Sequence, residues 1–381
     1  MNEVTGRPVN EAGGLAGPPV NVLVVNTGSS SLKMRLLGSA DEVLAEAHIE
    51  RWDGTGHVKE FVGGLPRVDV VGHRVVHGGS FFTGPVVLDS AVRDRLAELT
   101  DLAPLHQPRA LAGIDAVRAA LPGVPAVACF DTAFHAGLPD FAATYALPAA
   151  WRRQWDLRRY GFHGLSHAYA ARRAAALLGR PLASLRVVTC HLGAGASLCA
   201  VAGGRSVDTT MGFTPLEGLV MATRSGSVDP GLLVWLQRHG KLSVDELDDA
   251  LVHHSGLAGL AELPGGDLRD VHSAADSGSA PAALALDVYG HRLRAHIAAM
   301  TAAMNGLDVL VFTGGAGEHD SLLRADTTAG LSYLGLAVDP ARNRDCHPDA
   351  DISTAGAPVR TLVITAREDI EIAAQARSAL G

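Results

Sequence analysis

The 381-residue sequence predicts an α/β protein built from two related domains that face each other. Three observations predict it: short apolar runs end abruptly in glycine-rich turns, helical periodicity fills the intervals between them, and one strand–turn–strand unit occurs twice. The unit first reads Val22–Val25, the turn NTGSSS, then Ser31–Leu37. It returns as Arg186–Cys190, the turn HLGAGAS, then Leu198–Ala202. In both copies a polar residue (Asn26, His191) precedes a glycine by two positions, and Ser-Leu (Ser31-Leu32, Ser197-Leu198) leads into the second strand. About 165 positions separate the copies, the mark of an internal duplication.

The remaining elements follow from periodicity and punctuation. Ala91–Leu99, Arg109–Leu121, Leu165–Leu178, Gly231–Arg238 and Pro281–Met304 carry helical spacing, and Pro281 suits a first helical position. Val124–Phe130 is a short buried strand running into Asp131-Thr132. Leu307–Phe312 runs into TGGAGEH, with Ser321–Ala325 helical beyond it, and Thr361–Ile364 is a strand before a terminal helix from about Glu368. Asp267–Pro281, rich in Gly, Asp and Ser, is expected to be a mobile loop. Residues 1–20 mix Gly, Pro and both charges without an apolar stretch, so they are expected to form a flexible extension and not a signal peptide.

Composition excludes several functions. With 47% hydrophobic and 19% charged residues the chain can bury sizeable cores. Its 32 Lys and Arg against 40 Asp and Glu leave a net charge of −8, a poor basis for gripping nucleic acid or an anionic membrane. No run approaches the ~18 apolar residues of a membrane span. Cys129, Cys190, Cys199 and Cys346 form no CxxC pair and no zinc spacing, which reads as reduced thiols in a cytoplasmic protein.

Phosphate binding needs turns whose backbone N–H groups converge on an anion, with glycine where a side chain would block approach. Gly28-Ser29-Ser30-Ser31, Gly193-Ala194-Gly195 and Gly314-Gly315-Ala316-Gly317 are such turns, each after an apolar strand, and Lys33 follows the first. None is a Walker A loop. Four charged or titratable residues stand in unusual company: Arg74 within an apolar strand, Asp131 at a strand's carboxyl end, His163 before a helix and Arg224 in a polar turn. Taken singly, Arg74 reads as half of a buried ion pair, Asp131 as a helix cap and His163 as a core hydrogen-bonder. His163 and His167 have the spacing of a zinc pair but lack the HExxH glutamate.

Taken together, NTGSSSLK, GHRVVHGG, LAPLHQP, FDTAFH, RRYGFHGLSH, HLGAGAS, DTTMGFTPLEGLVMATRSG, FTGGAGEH and AREDIEIA resemble the acetate kinase family, in order, from about Val22 to the C-terminus. The resemblance implies two duplicated ribonuclease-H-like domains, residues 21–134 plus 368–381 and residues 135–367, with an active site between them. It implies reversible phosphorylation of acetate to acetyl phosphate by ATP with Mg²⁺ (or Mn²⁺), and a cytoplasmic homodimer. A kinase for propionate or another short acid and a catalytically impaired nucleotide-binding homologue are the alternatives.

Carried over by position, Arg74 and Arg224 orient acetate and the transferring phosphoryl group, and His163 donates to it with His106 in support. Asp131, Glu368 and Asn26 associate with the metal. Ser29, Ser31 and Lys33 form the first phosphate hairpin, and His191, Gly193 and Gly195 the second. Gly314, Gly315, Gly317 and Glu318 form the nucleotide-side turn, and Asp267 and Arg269 contact the nucleotide. Val76, Leu105, Phe162 and Pro215 enclose the acetate methyl. The sequence departs from the family pattern at Gln107, Ala194, Ser227, Leu268, Ala316 and His319, mostly on the nucleotide side, while the transfer residues are retained.

Overall fold

The computed structural model describes residues 20–28, 31–52, 57–104 and 106–380. The predicted N-terminal extension lies outside them, except for Val20.

Two six-stranded sheets dominate. The first is built from β1 (Val22–Thr27), β2 (Ser31–Leu37), β3 (Val43–Glu50), β4 (Val70–Val75), β5 (Val86–Val87) and β6 (Ala126–Phe130). The second is built from β7 (Arg186–Leu192), β8 (Ala196–Ala202), β9 (Arg205–Thr209), β10 (Val309–Thr313), β11 (Ala350–Asp351) and β12 (Arg360–Val363). The first sheet runs β3-β2-β1-β4-β6-β5, and the second runs β9-β8-β7-β10-β12-β11, the same order shifted by six.

Every pairing sense corresponds as well. β1–β2 and β2–β3 are antiparallel like β7–β8 and β8–β9. β1–β4 and β4–β6 are parallel like β7–β10 and β10–β12, and both sheets close with an antiparallel edge strand, β5 or β11. The duplication expected from the repeated unit is therefore a duplication of whole sheets.

Central strands such as β10 are buried along their full length, and β10 is apolar on both faces up to its last residue, Thr313. Helix Gly164–Leu178 lays Ala170, Ala171 and Ala174 on the second sheet against Val187, Val201 and Val309. The C-terminal helix Glu368–Leu380 returns to the first sheet, where Ile372, Ala373 and Ala376 pack on Val22, Val24 and Val70. The last residues of the chain thus complete the core of the first sheet.

Two expectations are corrected. Asp267–Pro281 is not a loop: Leu268–Asp276 is helical, started by the Asp267 carboxylate accepting from the Arg269 N–H at 2.9 Å. Asp and Ser read there as loop formers because the same side chains that favour loops also cap helices. Gly314–Gly317 is not an open turn but the start of a one-and-a-half-turn helix, Gly314–His319, entered directly from β10. Among the described residues no helix is long and apolar enough to cross a membrane.

Candidate active site

The site forms where strands from both sheets end against each other. Asp131 follows β6 and is buried. Its carboxylate takes Nε and Nη2 of Arg74, the latter at 2.6 Å, in a bidentate pair, while Arg74 Nη1 donates to Asn26 Oδ1 at 3.2 Å. Asp131 is therefore the partner that aims Arg74, and not a helix cap. Burial opposes the Arg74 charge, but Asp131 and Glu368 outweigh it and hold the guanidinium above its ordinary value. Burial also raises the Asp131 carboxyl, more than Arg74 lowers it, and Glu368 adds to the rise.

The Asp131 carbonyl accepts from the Gly164 N–H at 2.9 Å, which ties the end of β6 to the start of helix Gly164–Leu178. A Cβ at residue 164 would lie 2.2 Å from that carbonyl, so only glycine permits the contact. His163, one residue earlier, occupies a left-handed conformation with φ 56°, a strained setting for a non-glycine that turns its ring into the cleft.

His163 stacks on His191 with ring centres 4.4 Å apart. Its Nδ1 lies 2.9 Å from Ser197 Oγ, and His191 Nδ1 lies 2.8 Å from Ser166 Oγ. Burial first, then the neighbouring cations and rings, keeps His163 well below its ordinary value; burial likewise lowers His191, against the pull of Glu368.

Arg224 arrives from the loop after Met221. Its Nη1 donates to the Pro215 carbonyl at 2.7 Å, and among the described residues no carboxylate pairs with it. Burial alone lowers it from its ordinary value. The loop is anchored by Ala222 N–H on the Ala194 carbonyl at 3.2 Å, which fastens it to the β7–β8 hairpin. Gly195 of that hairpin shows how close the groups are: a Cβ there would lie 2.8 Å from Arg224 Nη2 and 3.5 Å from His163 Nε2.

His106 lies within reach of both arginine charges. Burial, then Arg74 and Arg224, push it down to about 4. The pocket is thus two permanent cations among neutral imidazoles, an arrangement that accepts anions.

The other residues singled out in the sequence lie around this centre. Lys33 pairs with Asn26 across β1–β2 and lines, with Asn26 and Glu368, a cavity of about 280 Å³. The Ser31 carbonyl accepts from the Gly28 N–H at 2.7 Å and the Gly195 carbonyl from the Gly193 N–H at 3.0 Å, closing the two hairpins. Glu318 accepts from the N–H groups of Gly314 (3.0 Å) and Ala366 (2.9 Å), locking the Gly314–Gly317 segment to the chain before Glu368; Gly315 is open to space.

Val76 and Phe162 are buried in one apolar cluster, and the Pro215 carbonyl accepts from Arg224. Asp267 and Arg269 form an exposed ion pair of 2.6 Å at the head of helix Leu268–Asp276. Ser29 and Leu105 lie outside the described residues. The sequence reading did not single out Ser166, Thr189, Ser197 and the Pro215 carbonyl as holders of the site. Only Ser197 carried a signal, as the counterpart of Ser31 in the repeated unit.

Comparison with known proteins gives one answer. A model of the acetokinase family matches residues 58–374. The acetate kinase of Leifsonia xyli subsp. xyli is 48% identical over 94% of this chain and 98% of its own, and that of Synechococcus sp. 51% identical over 86% of this chain and 80% of its own. Among solved structures, Porphyromonas gingivalis acetate kinase superposes with a TM-score of 0.88 at 34% identity, covering 95% of this chain and all (100%) of that one. A propionate kinase from Francisella tularensis superposes at 0.87 and 33% identity, covering 94% and 99%. The fold is the duplicated, ribonuclease-H-like one of these kinases, and the chain belongs to the acetokinase family.

Proposed function

We propose that the chain phosphorylates acetate with ATP, reversibly, by direct in-line transfer to give acetyl phosphate and ADP. The observation that carries this reading is the approach of Arg224 and His163 to one point above Gly195, with Arg74 aimed by Asp131 beside them.

Acetate has the pKa of a side-chain carboxyl, ~4–5, and is an anionic nucleophile at neutral pH without a general base. Its difficulty is approach to a triphosphate of the same sign, which costs about 4 kcal/mol per charge pair at 4 Å and an effective dielectric of 20. Arg74 and Arg224 offset that repulsion. As the acetate oxygen bonds to the γ-phosphorus, the bond to the bridging oxygen breaks and ADP leaves with the electron pair; no proton changes hands. His163 donates to the phosphoryl oxygens, where charge is spread as the transfer proceeds. His106 supports the arginines, and Val76, Phe162 and Pro215 face the methyl, with Leu105 assigned there by the family pattern alone.

Asn26, Asp131 and Glu368 supply hard oxygen donors around Arg74, and the mutual repulsion of the two carboxylates suits a cation. The set fits Mg²⁺, or Mn²⁺ in its stead, held partly through water. Such an ion neutralises phosphate charge. Lys33, His191, Gly193, Gly195 and the Gly314–Glu318 segment are assigned to the phosphates, with Asp267 and Arg269 at the nucleotide. We further propose that residues 21–134 plus 368–381 and residues 135–367 are the two domains flanking the cleft, and that the protein acts in the cytoplasm as a homodimer.

Trapping the acyl phosphate with hydroxylamine tests the reading across acetate, propionate and butyrate and across nucleotide donors. ATP-dependent acetyl hydroxamate, with propionate slower by the ~1–3 kcal/mol a methylene commands, is expected. No acyl hydroxamate from any acid would refute it. Sedimentation velocity of the full chain is expected to show a dimer.

A further inference from the structure

Behind His163 runs a chain of buried polar groups that the transfer step leaves unexplained. Ser197 Oγ lies 2.9 Å from His163 Nδ1 and 2.8 Å from His167 Nε2, and His167 Nδ1 lies 2.8 Å from Thr189 Oγ1. Ser197, His167 and Thr189 are fully buried at 0% exposure.

Among the described residues Ser197 Oγ has no partner beyond the two rings, so its one proton stays within the chain and the links can be ordered in two directions. In the first, Thr189 O–H donates to His167 Nδ1, His167 Nε2–H to Ser197 Oγ, and Ser197 O–H to His163 Nδ1, so that His163 carries its proton on Nε2. In the second every donor and acceptor is reversed, and His163 presents a bare Nε2 lone pair to the cleft.

Both ends of the chain select the first direction. Reversal sends the Thr189 proton to the Cys199 carbonyl, its other acceptor among the described residues, which lies at 3.5 Å, the limit of a hydrogen bond, against 2.8 Å to His167. At the cleft, a bare Nε2 beside the Arg224 guanidinium would draw that donor onto itself. An Nε2–H instead leaves two donors around Gly195, open to an anion. Burial holds His163 and His167 far below their ordinary values, so the ring gains its Nε2 proton by tautomer and not by charge.

We propose that Thr189, His167 and Ser197 form a positioning relay that fixes neutral His163 as its Nε2–H tautomer, a ready donor to the transferring phosphoryl group. The inference rests on the role given to His163 above.

Long-range ¹H–¹⁵N spectra of the ¹⁵N-histidine-labelled protein test it without substrate, with His163 assigned by its loss in His163→Gln. The Nε2–H tautomer at both His163 and His167 is the expected result; Nδ1–H at His163 overturns the relay, and this holds with no variant of the relay at all. Thr189→Val removes the first donor while keeping the shape. It is expected to raise the Nδ1–H population of His163 and lower kcat at least about tenfold, with KM for ATP within about twofold. A kcat near wild type, or a kcat loss with the tautomers unchanged, overturns the relay. Because the spectra need no turnover, failure of the relay is separable from failure of the acetate kinase reading, which the hydroxylamine trap decides.

Discussion

Replacing Arg224 by alanine separates chemistry from folding, because among the described residues this guanidinium has no acidic partner to orphan. Its Nη1 donates to the Pro215 carbonyl at 2.7 Å, and burial alone lowers it from its ordinary value. Arg224→Ala therefore leaves no buried carboxylate unpaired, and a stability change within about 1 kcal/mol is expected. The transition state loses one cation against two approaching anions. At an effective dielectric of 20 and 4 Å the lost interaction is about 4 kcal/mol, which at 1.36 kcal/mol per decade is roughly 10³ in rate. Acetyl hydroxamate formation at saturating acetate gives kcat, calorimetric titration gives ATP affinity, and a thermal melt checks the fold. The expected pattern is kcat down by about 10²–10³ with ATP affinity and Tm nearly unchanged. A variant that keeps kcat within a few-fold of wild type would refute the argument that Arg224 offsets the repulsion.

Three further outcomes follow from neighbouring contacts. Arg74→Ala should behave differently, losing about 3–5 kcal/mol in urea unfolding because Asp131 stays buried and unpaired. Adding Asp131→Asn should recover part of that loss, whereas a single-variant loss under about 1 kcal/mol contradicts the pairing. In Gly195→Ala the new methyl, 2.8 Å from Arg224 Nη2, displaces the guanidinium tip; kcat should fall well over about tenfold with Tm held, and unchanged kcat would speak against the crowding.

The last concerns pH. Burial holds His73 at about 3 and His77, His106 and His135 at about 4 in the folded protein, against about 6.5 when unfolded. Between these values the unfolded chain binds more protons, so this stability is complete above about pH 6.5 and is lost as the pH falls toward 4. Urea midpoints should drop from pH 7 to pH 5; equal midpoints contradict neutral burial.

Much of this was legible in the residues because the repeated unit and the strand ends fix what meets in the cleft. Asn26, Arg74, Asp131 and His191 all sit on or just past strands that an apolar run and an abrupt polar stop reveal. Helix bounds followed periodicity to within a few residues, as at Pro281–Met304 against the observed Ala280–Ala303.

What the sequence hid was the partner of each group. Arg74 read alone is half of an ion pair, and only the parallel register of β4 beside β6, with Arg74 opposite Cys129, shows that Asp131 is the other half. Asp267–Pro281 read as loop because Asp267 and Gly278 bracket a helix with the residues that also make turns. The buried chain through Ser197 was invisible for a related reason: Thr189, Ser197 and His167 come from two strands and a helix, and no local spacing joins them.

The central claim, that Arg74, Arg224 and His163 together accept a planar transferring phosphoryl group between two anions, is tested most directly with nitrate, a planar monoanion of similar shape. Its binding should be measured calorimetrically in the presence of ADP, Mg²⁺ and acetate, in wild type and in Arg224→Ala. The account expects nitrate to bind wild type at least about a hundredfold more tightly when acetate and ADP are both present, as a transition-state mimic does, and this gain to vanish in the variant. Nitrate binding that ignores acetate and ADP, or that survives loss of Arg224, would contradict it.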